Sequence, residues 1–196
     1  MIGVLMNLDS FLVKKIHCFS ACHRGFNGVM KAVAAYGHGA FLLYAVFLWF
    51  FPGTRRVKYR RLCVASLLSV VMASFISFLI GRCWQRKRPF LVERSVKPLI
   101  SHKATPSFPS NHGMNSLAIV LSLFHGKAPG RLFGAVWAVL LAFSRVYTGV
   151  HYVTDIIGGW VIAFGIHRLV YRFFYTPVVV PLTVLFSFIS DKIFRK

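Results

Sequence analysis

The sequence predicts an all-α protein, a polytopic membrane helical bundle with five or six transmembrane helices. Three observations carry this. Apolar residues make up 57% of the chain and come in long uninterrupted blocks. Charged residues are 14%, where a soluble domain of this size carries about 25%. The basic residues sit between the blocks and not along one soluble face. A soluble helical protein with a mean hydropathy of +0.64 is the alternative, but apolar runs of bilayer length mark spans.

The 196 residues suffice for one domain, a single membrane unit over 1–196 with a helical core at 32–175. Residues 1–31 mix apolar side chains with Lys14, Lys15, His17, His23 and Arg24, the composition of an amphipathic helix lying at the interface. The first full span is Ala32 to Phe51, 20 residues without a formal charge. At about 1.5 Å per residue it crosses a hydrocarbon core of roughly 30 Å, and Pro52-Gly53 ends it. A loop at 54–61 carries five basic residues and no acid. Leu62 to Ile80 is the second span, with Ser66, Ser69, Ser74 and Ser77 in one sector for close packing. A polar stretch follows at 81–109. The third helix runs over 110–124, the fourth over 132–147 and the fifth over 156–175, where Arg168 and Arg172 can snorkel. The tail at 176–196 contains Pro177 and Pro181 and is a further helix or an interfacial segment. The first residues lack a charged region followed by a cleavage site, so no cleavable signal peptide is expected.

The formal charge is +20, from 24 Lys and Arg against four acids, Asp9, Glu93, Asp155 and Asp191. Charge placed between spans points to anionic headgroups or a phosphorylated substrate, not to nucleic acid. No obligate protein partner is evident. Cys18, Cys22, Cys63 and Cys83 form no framework, because Cys63 and Cys83 flank one span. His17-Cys18 and Cys22-His23 superficially suggest a metal site, but zinc needs about four well-placed ligands. The same stretch reads as an interfacial helix.

Two crossings separate the 81–109 stretch from the 144–155 segment, so both lie on one side of the membrane, with 54–61 and 125–131 on the other. The 81–109 stretch holds seven basic residues, the 54–61 loop five and the 125–131 loop two. If several of the seven serve a phosphate, 54–61 is the cytoplasmic loop and the site faces outward.

Three segments carry chemistry. In Gln85-Arg86-Lys87-Arg88-Pro89-Phe90, a guanidinium fork suited to phosphate precedes a stiffening proline. Pro109-Ser110-Asn111-His112-Gly113 stands immediately before an apolar helix. Ser110 there is positioned to cap, the first-turn N–H groups form an anion site, and His112 can give a proton to a leaving oxygen. In Ser144-Arg145-Val146-Tyr147-Thr148-Gly149-Val150-His151-Tyr152-Val153-Thr154-Asp155, His151 and Asp155 are four apart and share a face if helical. A carboxylate on one imidazole nitrogen fixes the tautomer and frees the other nitrogen to attack. Arg145 adds a second fork. An acid at a membrane edge is a functional candidate; the plain structural alternative is a buried ion pair between Asp155 and an arginine.

Together these segments resemble the type 2 phosphatidic acid phosphatase superfamily, whose elements are Lys-x6-Arg-Pro, Pro-Ser-x-His and Ser-Arg-x5-His-x3-Asp. The second and third match in full. The first keeps Arg88-Pro89 but has Gly81 in the lysine position, for which Arg82, Arg86 and Lys87 are the candidate substitutes. Asn7-Leu8-Asp9-Ser10-Phe11, Arg88-Pro89-Phe90, His102, Ser107-Phe108 and Tyr152 resemble the bacitracin-resistance branch of undecaprenyl-diphosphate phosphatases. The resemblance implies the lipid phosphatase fold in a bacterial plasma membrane and a polyprenyl diphosphate substrate. It implies His151 as nucleophile, Asp155 orienting it and His112 as acid and then base, with Arg88, Arg145, Ser110 and N–H groups near Asn111 holding the phosphate. Five fixed donors can replace a metal, so no cofactor is expected. The rivals are another lipid substrate, a lipid phosphotransferase, and a non-catalytic lipid-binding subunit.

Overall fold

The computed structural model describes residues 2–194. They form α1 (Ile2–Cys22), α2 (Arg24–Trp49), α3 (Arg56–Cys83), α4 (Pro89–Val92), α5 (Asn111–His125), α6 (Arg131–Tyr147), α7 (Val153–Leu169) and α8 (Val180–Phe194), with π-helical Val170–Val179 joining α7 to α8. Three helical stretches are long and apolar enough to cross a bilayer: Arg24–Trp49, Arg56–Cys83 and Val153–Phe194. The shorter α6 turns Leu132, Phe133, Val136 and Val139 outward, an apolar stripe that water would not tolerate over such a length and that lipid does.

The helices pack through small residues. On α3, Ser66, Ser69 and Ser77 are buried with Ala65 and Ala73, and Ser74 exchanges hydrogen bonds with Asn115 of α5. The serine sector therefore faces the bundle, as its spacing predicts. Gly159 of α7 lies against α5 so closely that a Cβ would stand 3.2 Å from both Met114 Cβ and the Ser110 carbonyl. This contact sets the depth of α7 beside the head of α5.

Two expectations change. The 54–61 segment is largely helix, since α3 begins at Arg56. Its basic residues have a reason to be ordered: Arg56 and Arg60 both pair with Asp191 of α8, at 2.8 and 2.6 Å. Likewise α2 starts at Arg24, well before the apolar block, because the chain breaks at His23 and not at residue 31. The tail is helical through Phe194; Arg195 and Lys196 lie outside the described residues. Its end returns to the start of α3, where Trp49 also donates to Ser190, so α8 finishes at the same end of the bundle as α7. Pro177, which has no N–H to give, falls within the π-helical link.

Asp9, Val13, His17 and Ser20 form one buried stripe on α1, which seats this helix against the bundle. His17 is a structural residue there. Its Nε2 accepts from the Lys97 N–H, so Nδ1 carries the proton and donates to the Tyr147 carbonyl at 3.2 Å. Both nitrogens are engaged, which removes His17 from any metal set, and His23 bonds Phe19 within its own turn. The Cys22 side chain of that candidate set lies outside the described residues.

The 84–110 stretch and the 148–152 turn share one end of the bundle, joined by the Leu99 N–H to the Thr148 carbonyl. The 50–55 and 126–130 turns lie at the other, where Tyr44 donates to the Pro129 carbonyl. This is the arrangement that the parity of crossings requires.

Candidate active site

At the first of these ends lies a cavity of about 1020 Å³ whose walls include Arg82, Lys87, Arg88, Asn111, His112 and His151. The two imidazoles thus face one space, although their residues are far apart in sequence.

Arg88 is extended (φ −72°, ψ 155°), as a residue before proline must be, and Pro89 opens α4. Its guanidinium is buried and held by the carbonyls of Thr105 (2.9 Å), Pro106 (3.0 Å) and Val150 (2.8 Å). Burial lowers its pKa to about 10, partly opposed by the Asp155 charge, so it remains a cation at neutral pH. Its Nη1 also lies 3.0 Å from His151 Nε2. A guanidinium only donates, so Nε2 must present its lone pair and the proton must sit on Nδ1.

His151 follows a turn made possible by Gly149, whose φ of +76° favours glycine. The N–H groups of Val150 and His151 both close this turn onto the Arg145 carbonyl. Nδ1 lies 3.4 Å from Asp155 Oδ2, an electrostatic neighbour looser than a full hydrogen bond. The expected pairing is present, but its cause differs: His151 precedes α7, so the two residues meet across the helix entrance and not along a helical face. Burial lowers the His151 pKa to about 4, against the neighbouring Asp155 carboxylate, which raises it. The ring is therefore neutral at physiological pH, the form a nucleophile needs. Burial also lowers His102, whose ring stands 6.3 Å from that of His151.

Asp155 is the most committed side chain. It is fully buried, and Oδ2 accepts from the Tyr152 N–H at 2.9 Å and from the Ser107 hydroxyl. Its Oδ1 pairs with Arg86 Nη1 at 2.6 Å. The buried ion pair and the orienting contact with His151 thus coexist on one carboxylate.

Ser110 occupies the N-cap position of α5, but its hydroxyl caps nothing. It is buried and has no hydrogen-bond partner, while its N–H donates to the Asp155 carbonyl at 3.1 Å. Asn111, His112 and Gly113 supply the first-turn amides that an α-helix leaves without internal acceptors. The His112 ring meets that of His38 from α2 edge to face at 5.5 Å. Arg145 is buried and donates to the Ala34 carbonyl at 2.8 Å, with Nε unpartnered. It lies behind the cavity and not in its wall, though its charge is felt at His151. Of the candidates for the absent lysine, Arg82 and Lys87 are exposed at the wall. Arg86 lines it too, but its guanidinium is committed to Asp155, Thr154 and Asp9.

Asp9 joins the candidate site, and motif spacing missed it. It is 2% exposed, pairs with Arg86 Nη2 at 2.6 Å, and accepts from the Thr154 N–H and hydroxyl. Arg86 therefore bridges two carboxylates, and α1 fixes the far side of Asp155. Its sequence signals were the scarcity of acids and its place in Asn7-Leu8-Asp9-Ser10-Phe11, neither of which assigns it a role. Asp9→Asn is expected to lower kcat on the order of tenfold to hundredfold with little change in KM, because small misplacements are costly in catalysis. Steady-state kinetics on this variant, Arg86→Lys and the double variant should show strongly non-additive losses; additive losses would mean that the two side chains act separately.

The profile of the PAP2 superfamily matches residues 62–178. The undecaprenyl-diphosphatase BcrC of Bacillus subtilis (strain 168) is 31% identical over 169 residues, 86% of this chain and 84% of that one. Phosphatidylglycerophosphatase B of the same organism is 30% identical over 148 residues, 68% of each chain. The crystal structure of Aquifex aeolicus LpxE has the same fold, with a TM-score of 0.66 at 24% identity over 83% of this chain and 93% of that one.

Proposed function

The chain belongs to the PAP2 superfamily and is a membrane lipid phosphatase, and we propose that it hydrolyses undecaprenyl diphosphate to undecaprenyl phosphate and inorganic phosphate through a phosphohistidine. The observation that carries this reading is the placement of His151, whose Nε2 lies 3.0 Å from Arg88 Nη1 in a cationic cavity that His112 also lines. Nε2 attacks the terminal phosphorus, an N–P bond forms, and the P–O bond to the lipid monophosphate breaks. His112, held as the imidazolium by the negative charge of the bound diphosphate, gives its proton to the departing oxygen. It then takes a proton from the water that attacks phosphorus, the N–P bond breaks, and inorganic phosphate leaves. Nδ1 keeps its proton throughout, beside Asp155.

Arg88, Arg82, Lys87 and the first-turn amides of α5 surround the transferring group, with Arg145 adding charge from behind. Phosphoryl transfer depends chiefly on such positioning and charge stabilisation, so the reaction proceeds without a metal. The cavity continues from the imidazoles past Gly81 to Ser77, Ser74 and the exposed Phe78 of α3, a route suited to a polyprenyl chain approaching from the bilayer. Similarity to the BcrC enzyme supports this substrate over a phospholipid.

The test is turnover by purified protein in detergent, with chelator present, on undecaprenyl diphosphate, phosphatidylglycerophosphate, phosphatidate and lipid A. Undecaprenyl diphosphate should be the best substrate and chelation without effect. If it ranks among the poorest, the substrate assignment fails while the phosphatase stands. Labelled phosphate on an acceptor, in place of water, would identify a transferase.

The cavity faces outward in this reading, which suits recycling of a carrier lipid for cell-wall synthesis. Cys83 is exposed at that end of α3. With the other cysteines replaced by serine, a membrane-impermeant maleimide should label Cys83 in intact cells. Labelling only after permeabilisation would reverse the orientation.

A further inference from the structure

A second cavity, of about 750 Å³, opens at the opposite end of the bundle, between the end of α5 and the junction of α7 with the π-helical segment. Its polar lining is His125, His167, Arg168, Tyr171 and Arg172. These rings form one cluster. The Tyr171 centroid lies 3.8 Å from that of His125 and 4.5 Å from that of His167. His167 is 9% exposed, and its buried Nδ1 has no hydrogen-bond partner. A buried polar nitrogen left without a partner calls for one from outside.

The charge balance says what that partner is. All four acids of the chain are engaged elsewhere. Asp9 and Asp155 hold Arg86, Glu93 holds Lys14, and Asp191 holds Arg56 and Arg60. Among the described residues, no carboxylate lies within ion-pair distance of Arg168 or Arg172. Their guanidiniums instead stand over the rings of Phe164 and Phe173, both of which are exposed. Two cations and two imidazoles above apolar walls match a phosphate with acyl chains attached, and basic pockets between membrane helices bind such headgroups.

We propose that this cavity binds the phosphate headgroup of an anionic phospholipid, on the membrane face opposite the catalytic site. The lipid supplies the counter-charge that the described residues lack there and holds the end of α5 to the π-helical segment. This site does not depend on which lipid the catalytic cavity hydrolyses.

The full-length protein in phosphatidylcholine nanodiscs, with phosphatidylglycerol titrated in, allows retained lipid to be counted by native mass spectrometry. The wild-type protein should retain phosphatidylglycerol selectively. The Arg168→Gln/Arg172→Gln protein should lose about tenfold or more in that affinity, given the attraction each surface cation contributes. The Arg55→Gln/Lys58→Gln protein removes the same charge at the same end but outside the cavity, and should change by about twofold or less. His167→Gln provides a second reading should the double variant be unstable, and should weaken retention in the same direction. Equal losses in the two double variants would overturn the site in favour of diffuse surface attraction. So would unchanged retention in both the double variant and His167→Gln. Displacement of the lipid by millimolar inorganic phosphate would show a free-anion site and overturn the lipid assignment.

Discussion

Turnover by the His151→Ala protein is expected to fall by about four orders of magnitude or more, because removing a nucleophile removes the covalent route and leaves only binding and positioning. Lipid binding should survive, since Arg82, Lys87 and the α5 amides remain. A non-catalytic lipid-binding subunit predicts the opposite, with function intact in the variant, so one complementation assay separates the two. The wild-type protein should also yield a phosphorylated residue on rapid quenching, mapped to His151, that the variant lacks. The pH profile adds an independent check. Burial lowers the His151 pKa to about 4, so the neutral nucleophile persists well below the usual imidazole range and is lost only as pH falls through that value. At pH 5 an ordinary imidazole is almost wholly protonated, whereas His151 stays mostly neutral. The acid limb of kcat/KM, corrected for titration of the substrate itself, should therefore lie well below 6.5. A limb at the ordinary imidazole value would place the nucleophile elsewhere.

Helices with strong apolar periodicity were legible almost to the residue: α5 and α6 begin and end within about one position of the stretches that hydropathy marks. Hydropathy marks where lipid begins, not where the helix begins, so α3 runs back through Arg60 and Arg56 to reach Asp191. A pairing separated by more than a hundred residues has no local signature. The site divides in the same way. Chemical types at fixed spacing made Arg88, Ser110, His112, Arg145, His151 and Asp155 candidates, and the fold gathers them at one end of the bundle. The spacing of His151 and Asp155 gave the right contact for the wrong reason, because Gly149 turns the chain just before His151. Ser110 looked like a cap, yet with its hydroxyl free and its N–H on the Asp155 carbonyl it locks the head of α5 to α7. Asp9 belongs to the site through Arg86 and Thr154, partners more than seventy residues away that no spacing within α1 announces.

Asp155→Asn is expected to lower kcat by about three to four orders of magnitude while conserving shape, and the reason is a proton and not a volume. In the present arrangement Arg88 Nη1 donates toward His151 Nε2, so the imidazole proton lies on Nδ1, facing Oδ2 of Asp155 at 3.4 Å. An asparagine amide turned toward Nδ1 offers an N–H where an acceptor was needed. The ring then protonates at Nε2 instead, its lone pair leaves the cavity, and the N–H of Arg88 confronts the N–H of His151. Exchanging a carboxylate for an amide beside a catalytic imidazole produces this kind of loss through the wrong tautomer. The amide can keep its oxygen toward Nδ1, the Tyr152 N–H and Ser107 only by directing its N–H groups at the Arg86 guanidinium, which also needs an acceptor. The phosphohistidine should form too slowly to accumulate in quench experiments, with KM nearly unchanged. If Asp155→Asn keeps more than about a tenth of wild-type kcat, Asp155 is a structural anchor for Arg86 and the helix entrance, and the orientation of His151 must come from Arg88 alone.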